Sequence, residues 1–127
     1  MHDAPSPSEL IAAVKLFIDD TAAPQLTGHA AFHARVASNV LATLLRELEQ
    51  RPAAESDEAA RLRDLLKADS NATVGAMNRD RCTRIRYGRM AAATPGLFLH
   101  LKTTTIAQLS IDQPNYSGLK AALSKPA

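Results

Sequence analysis

The sequence predicts an all-α fold, a compact bundle of five or six helices with a central second helix. Composition supports this first: 46% of the residues are hydrophobic but only 4% are aromatic, and just five are glycine. A chain rich in alanine, leucine, arginine and glutamate favours helix over strand. Periodicity supports it second, because apolar residues recur at three- and four-residue intervals in several windows. Third, no stretch shows strand-like alternation, and there is no internal repeat or long low-complexity tract. At 127 residues the chain is read as a single helical domain, 1–127, long enough to build a core.

The elements follow in order. Ser6, Pro7 and Glu9 form a capping box with proline at the first helical position, where its missing N–H costs nothing. Leu10, Ile11, Val14, Phe17 and Ile18 continue at helical spacing, and Ala22-Ala23-Pro24 ends the helix. The second helix is expected between Thr27-Gly28 and Arg51-Pro52. Its residues Phe32, Val36, Val40, Leu44 and Leu48 step by four, flanked by Leu41 and Leu45. Such a wide apolar arc predicts a helix touched on several sides, with Arg35, Ser38, Arg46 and Glu49 on the opposite face.

Residues 53–58 read as an acidic loop before a third helix over about 57–68, with Leu62, Leu65 and Leu66 inward. The turn and cap cluster at 69–73 leads to a fourth helix over about 72–87, with Val74, Met77 and Ile85 as its sparse stripe and Gly88 as its C′ residue. Thr94-Pro95 repeats the cap-then-proline start for a fifth helix, which Asp112-Gln113-Pro114 stops. A short sixth helix covers about 117–124.

Charge is distributed unevenly. Residues 1–69 hold eleven acidic and seven basic side chains, whereas residues 70–127 hold two acidic and eight basic ones. The eleven residues 79–89 carry five arginines, Arg79, Arg81, Arg84, Arg86 and Arg89, against Asp80 alone. Guanidinium forks suit phosphate and carboxylate, so the cluster points to an anionic partner: a phosphorylated small molecule, an acidic protein surface, or the chain's own acidic half. Helical spacing places Arg81 close to the Val74–Met77–Ile85 stripe and Arg84 on its edge, with Arg79 and Arg86 elsewhere, so the five do not form one flat patch. Nucleic acid is not expected, because the net charge is only +2, Tyr87 is the one aromatic near the arginines, and no groove-reading motif appears.

No catalytic constellation is evident. His29 and His33 stand four apart and could chelate a metal, but a third ligand and a supporting acid are missing, so His33 is read as a hydrogen-bonded core histidine and no metal is expected. His100 is the only other plausible imidazole. Asn39 and Asn78, at the edges of apolar stripes, are read as amides that bond another helix or a loop. Cys82 has no local histidine and no resolving cysteine, and it reads as a small core residue. There is no glycine-rich loop to cradle a nucleotide, and no cofactor is expected. In Ile111–Leu119, dense in turn residues, Asp112 or Asn115 is expected to cap the last helix, Tyr116 to pack over the bundle end, and Asp112 to pair with Arg81 or Arg86. The lone cysteine, the absence of a signal peptide in Met1–Pro5 and the lack of a spanning apolar run predict a soluble, cytoplasmic protein with no membrane association.

Three segments together resemble one family: Ala31–Asn39 (Ala-Phe-His-Ala-Arg-Val-Ala-Ser-Asn), Met77-Asn78-Arg79 with Ile85-Arg86-Tyr87-Gly88, and Thr104–Leu119 with Ile-Asp-Gln-Pro-Asn-Tyr-Ser-Gly-Leu. The family is a bacterial group of small helical domains of unknown function, encoded beside aminoglycoside-phosphotransferase-like kinases and acyl-CoA dehydrogenases. The resemblance spans Ser8 to Leu123 and draws attention to Phe32, His33, Arg35, Asn39, Asn78, Arg79, Arg86, Asp112, Pro114, Tyr116 and Gly118. It implies a non-enzymatic accessory or regulatory domain that partners a phosphotransferase-like kinase in acyl-CoA (hydroxy acid) catabolism. The arginine-rich half would be the docking or ligand face. The alternatives are a small-molecule binder for CoA, acyl-CoA or another phosphorylated metabolite, an enzyme using His33 with Arg35 and Asn39, and a homodimer in which acidic and basic halves pair.

Overall fold

The structure, a computed structural model, describes residues 4–124, so Met1, His2 and Asp3 of the segment read for a signal peptide lie outside it. Among the described residues the fold is all-α. Five α-helices occur, α1 (Pro7–Phe17), α2 (Gly28–Leu66), α3 (Val74–Arg86), α4 (Leu97–Asp112) and α5 (Ser117–Ser124). A π-helical turn, Ile18–Ala22, and a short 3-10 turn, Ala23–Gln25, follow α1. The chain divides into two units, Met1–Arg51 and Pro52–Ala127, and α2 contributes to both.

The first unit begins with the capping box. The Glu9 N–H donates to Ser6 Oγ at 3.3 Å, and the Ser6 N–H donates to Glu9 Oε2 at 2.6 Å. Those bonds to Ser6 hold the Glu9 carboxyl below the usual carboxylate range. In the π-helical turn, Asp19 takes a bond from Lys15 Nζ at 2.5 Å, and Lys15 first and the Ser38 side chain second hold its carboxyl below the usual range. Ser38 is accordingly 6% exposed, although it was expected on the polar face of its helix. The half-buried positions around it are Ala31, Ala34, Leu41, Ala42 and Leu45, a face of mainly small residues. The arc of Phe32, Val36, Val40, Leu44 and Leu48 lies on the other side and is exposed, with Phe32 and Val40 each at 54%. Sequence spacing shows that this arc is apolar, but it does not show what covers it.

The boundary expected at Arg51-Pro52 does not form. Residues 53–58 are helical, and the predicted second and third helices are one continuous helix of 39 residues with Pro52 inside it. Proline there removes one backbone donor and disfavours helical backbone at Arg51. The residues on both sides remain good helix formers, and Arg51 donates to Glu47 from Nε and, at 2.6 Å, from Nη2 across the turn before the proline. The helix ends instead at Lys67, whose φ of 53° is left-handed, with the Ala68 N–H bonded to the Arg63 carbonyl at 3.1 Å.

The second unit holds a core of Ala59, Leu62, Leu66, Met77, Met90 and Leu97, with Leu65, Ala68, Ala72 and Val74 packed against it. Thr73 caps α3 by accepting the Ala76 N–H at 3.2 Å. Gly88 (φ 69°) closes α3 as expected: its N–H reaches the Ile85 carbonyl at 3.1 Å and the Arg89 N–H reaches the Arg84 carbonyl at 2.8 Å. Thr94-Pro95 does not cap α4. The Thr94 hydroxyl accepts the Ala91 N–H at 2.9 Å in a turn, and α4 starts after Gly96, which sits at φ 82°. Ile111 and Leu119 are buried near the junction of α4 and α5.

Leu62 is a 0% exposed member of this core, so Leu62→Ala is expected to destabilise the second unit by about 2–5 kcal/mol through lost burial and a residual cavity. Urea unfolding followed by circular dichroism reads the effect as a lower midpoint at an unchanged slope.

Candidate functional site

Three helices of the second unit each place two polar residues one turn apart on their covered faces. The C-terminal part of α2 supplies Glu58 and Arg61, α3 supplies Asn78 and Arg81, and α4 supplies His100 and Thr104. Three hydrogen bonds join them into a ring. Asn78 Nδ2 donates to Glu58 Oε1 at 2.9 Å, Arg81 Nη1 lies 2.7 Å from His100 Nε2, and Arg61 Nη2 lies 3.4 Å from Thr104 Oγ1. His100 is 2% exposed, while the other five are half-buried.

Arginine can only donate, so its bond to His100 Nε2 requires a lone pair there and puts the imidazole proton on Nδ1. Burial holds the His100 pKa below its ordinary value. The charges of Arg81 and then Arg61 push it the same way, against the opposing pull of Glu58. The histidine is therefore neutral, and two guanidiniums face one carboxylate. Arg61 Nε, Arg81 Nε, His100 Nδ1 and Asn78 Oδ1 are buried without a partner among the described residues, so the ring retains unused hydrogen-bonding capacity.

This arrangement fixes helices and does not assemble a reacting pair. The only imidazole lone pair is occupied by Arg81, and the one hydroxyl of the ring, that of Thr104, faces a guanidinium and no base. Among the described residues no group of three or more His, Cys, Asp or Glu side chains could hold a metal ion.

The five arginines of 79–89 separate into three environments. Arg81 turns inward to His100. Arg84 is half-buried and paired with Asp80, Nη2 to Oδ2 at 2.8 Å. Arg79, Arg86 and Arg89 are exposed and have no carboxylate partner among the described residues. Beside them, Asn78, Arg79, Cys82, Thr83 and Arg86 line an open depression of about 370 Å³, and this described lining comes entirely from α3.

Several sequence-predicted positions stand elsewhere. His33, expected in the core, is exposed, with its ring 5.5 Å edge-on from that of Phe32. Arg35 and Asn39 are exposed as well, and among the described residues the Asn39 amide bonds no other helix. His33, Arg35 and Asn39 belong to the first unit and the α3 arginines to the second. Cys82 is exposed, because the register that turns Met77 and Arg81 inward turns it out. Asp112 accepts from Gln108 Nε2 at 2.6 Å and pairs with no arginine among the described residues, since Arg81 is already engaged by His100. Tyr116 is exposed and does not cover the bundle end. Its ring lies over Gly118, where an added Cβ would come within 2.5 Å of it.

Sequence reasoning missed Glu58, Arg61, His100 and Thr104. A signal existed for one of them, because His100 follows Leu97 by three residues and so shares its covered face.

The second unit thus defines an all-α domain with a largely covered polar ring and an arginine-bearing outer helix. Residues 24–116 match the family described as Domain of unknown function (DUF6285), and the chain belongs to that family. No curated protein and no solved structure matches it. No helix among the described residues is long and apolar enough to cross a membrane.

The His100 geometry carries a pH dependence. The folded state holds the imidazole neutral, while the unfolded chain protonates it as pH falls through about 6.5. The unfolded state then binds more protons, so stability is complete above that pH and declines below it until the folded pKa is reached. Urea unfolding is expected to give a lower midpoint at pH 5.5 than at pH 7.5, and His100→Asn to flatten that difference. An unchanged slope in the variant would remove His100 as its source.

Proposed function

We propose that this chain is a cytoplasmic, non-enzymatic accessory domain that docks an acidic surface of a protein partner through the outer side of α3. One observation supports the reading above the rest: Arg79, Arg86 and Arg89 are exposed and lack carboxylate partners among the described residues, while Arg81 and Arg84 are engaged within the chain. Two of these guanidiniums, Arg79 and Arg86, stand on α3 and Arg89 just past its end, and a guanidinium offers a planar match to carboxylates. The partner we favour is a phosphotransferase-like kinase of acyl-CoA (hydroxy acid) catabolism, a choice that rests on the family resemblance.

A second reading has an observation of its own. The depression beside α3 carries Arg79 and Arg86 next to Asn78 and Thr83, groups suited to a phosphorylated metabolite such as CoA or acyl-CoA. Small-molecule sites bury most of their ligand, however, and this described lining is one helix wide. A protein surface fits such a wall better than a metabolite does.

Co-expression with a kinase of this class, followed by size-exclusion at low and moderate salt, tests the reading. A joint peak is expected at low salt and is expected to dissolve as salt rises, because exposed charges are screened. Arg86→Glu with Arg89→Glu is expected to weaken the complex at least tenfold, and Arg84→Glu to weaken it less because Arg84 is engaged by Asp80. Separate peaks at every salt concentration, together with a CoA-induced rise in melting temperature that Arg79→Glu removes, would replace docking by metabolite binding.

A further inference from the structure

We propose that the contact between Arg81 and His100 is a proton-released latch: when the imidazole takes up one proton, α3 comes untied while the rest of the second unit stays folded. Arg81 Nη1 lies 2.7 Å from His100 Nε2, so the lone pair that would receive the proton is the one Arg81 occupies. His100 is 2% exposed, and an N–H formed there finds no bulk water to donate to.

The surroundings decide where the strain goes. Arg81 faces the imidazole from α3, Arg61 and Glu58 act on it from α2, and its own helix supplies the Thr104 hydroxyl one turn on. Proton uptake changes two cations against one carboxylate into three against one. The ring is also short of acceptors, since Arg61 Nε, Arg81 Nε and His100 Nδ1 are buried donors without partners. Its one unused acceptor, Asn78 Oδ1, is neutral and offsets no charge. Its one carboxylate, Glu58, already accepts from Asn78 Nδ2 at 2.9 Å, so drawing Glu58 toward the imidazolium takes it from Asn78.

Both ring bonds that hold α3, Asn78 to Glu58 and Arg81 to His100, are therefore disturbed by one proton. The third bond, Arg61 to Thr104, joins α2 to α4 and uses neither group. Apolar contacts divide the same way. Of the six buried core residues, three belong to α2, Ala59, Leu62 and Leu66, whereas α3 supplies Met77 alone. The helix that loses its polar ties is thus also lightly held by the core, and it loosens first.

The latch acts in the free chain, so it stands or fails apart from docking. Amide hydrogen exchange on the full chain in low urea tests it, at several pH values from 7.5 to 5. Opening of α3 exposes the imidazole and takes up one proton, so protection of residues 77–86 is expected to fall about tenfold for each pH unit below about 6.5, until the ring titrates in the folded state. That opening is expected to have lower protection and a weaker urea dependence than exchange of residues 59–66 in α2, which needs the core to unfold. His100→Gln offers Arg81 an acceptor that does not titrate, and it is expected to abolish the pH slope in α3. Residues 77–86 and 59–66 with the same protection and urea dependence would overturn the proposal, because α3 would then open only with the whole unit. So would α3 protection that does not change with pH in the unaltered chain, or a slope that His100→Gln leaves in place.

Discussion

The second unit depends on the ring that ties Glu58 to Asn78, Arg81 to His100 and Arg61 to Thr104. Its members lie beside the core of Leu62, Met77 and Leu97, where an unpaired polar group is costly. Apolar contacts alone tolerate a helix sliding against its neighbour, because one methyl group replaces another. The ring does not tolerate it. Each helix contributes two residues separated by one turn, so a shift of one helix by a turn breaks its bonds to both others at once. The hydrophobic core supplies the driving force, and the ring specifies a single register among the arrangements that force would permit. The neutral imidazole is part of this specification, since a protonated His100 would confront Arg81 with a second cation and no acceptor.

The two halves of α2 show the same backbone under different constraints. Beyond Pro52, its inward residues Ala59, Leu62 and Leu66 are buried in the core. Before Pro52, the covered face is built from Ala31, Ala34, Ser38, Leu41, Ala42 and Leu45. The row of Phe32, Val36, Val40, Leu44 and Leu48 points the other way. Short helices without apolar burial are marginal in water, and most helical stability comes from packing an amphipathic face. The first unit places its row of large apolar residues outward.

Much of the fold was legible because it is written locally. The Ser6–Glu9 capping box, the Thr73 cap and the Gly88 terminus each involve residues within a few positions of one another, and each formed as expected. Pro52 misled because its penalty is also local, and it was outweighed by helix-forming neighbours and by Glu47–Arg51 across the preceding turn. The stripe from Phe32 to Leu48 identified a helix correctly and its burial incorrectly, since periodicity reports an apolar face and is silent about the surface opposite it. The ring was the least legible feature. Its three bonds span 20, 19 and 43 residues, and no spacing rule links an arginine on one helix to a histidine on another at those separations.

The arginine cluster shows how a conspicuous motif divides once the chain folds. Five guanidiniums in eleven residues read as one basic feature, yet a helix turns about 100° per residue and sends neighbours into different environments. Arg81 becomes part of the interior because His100 offers it a lone pair. Arg84 is held by Asp80 one turn earlier on its own helix. What remains for the proposed recognition is Arg79 and Arg86 on a helix anchored from behind by Met77, Asn78 and Arg81, with Arg89 in the bend just after it. That anchoring matters for binding. A guanidinium on a mobile loop would lose backbone freedom on meeting a carboxylate, whereas here the backbone is already ordered and only side-chain freedom is lost. In the proposed docking, the inward arginine therefore serves Arg79 and Arg86, because its contact with His100 helps to fix the helix that carries them.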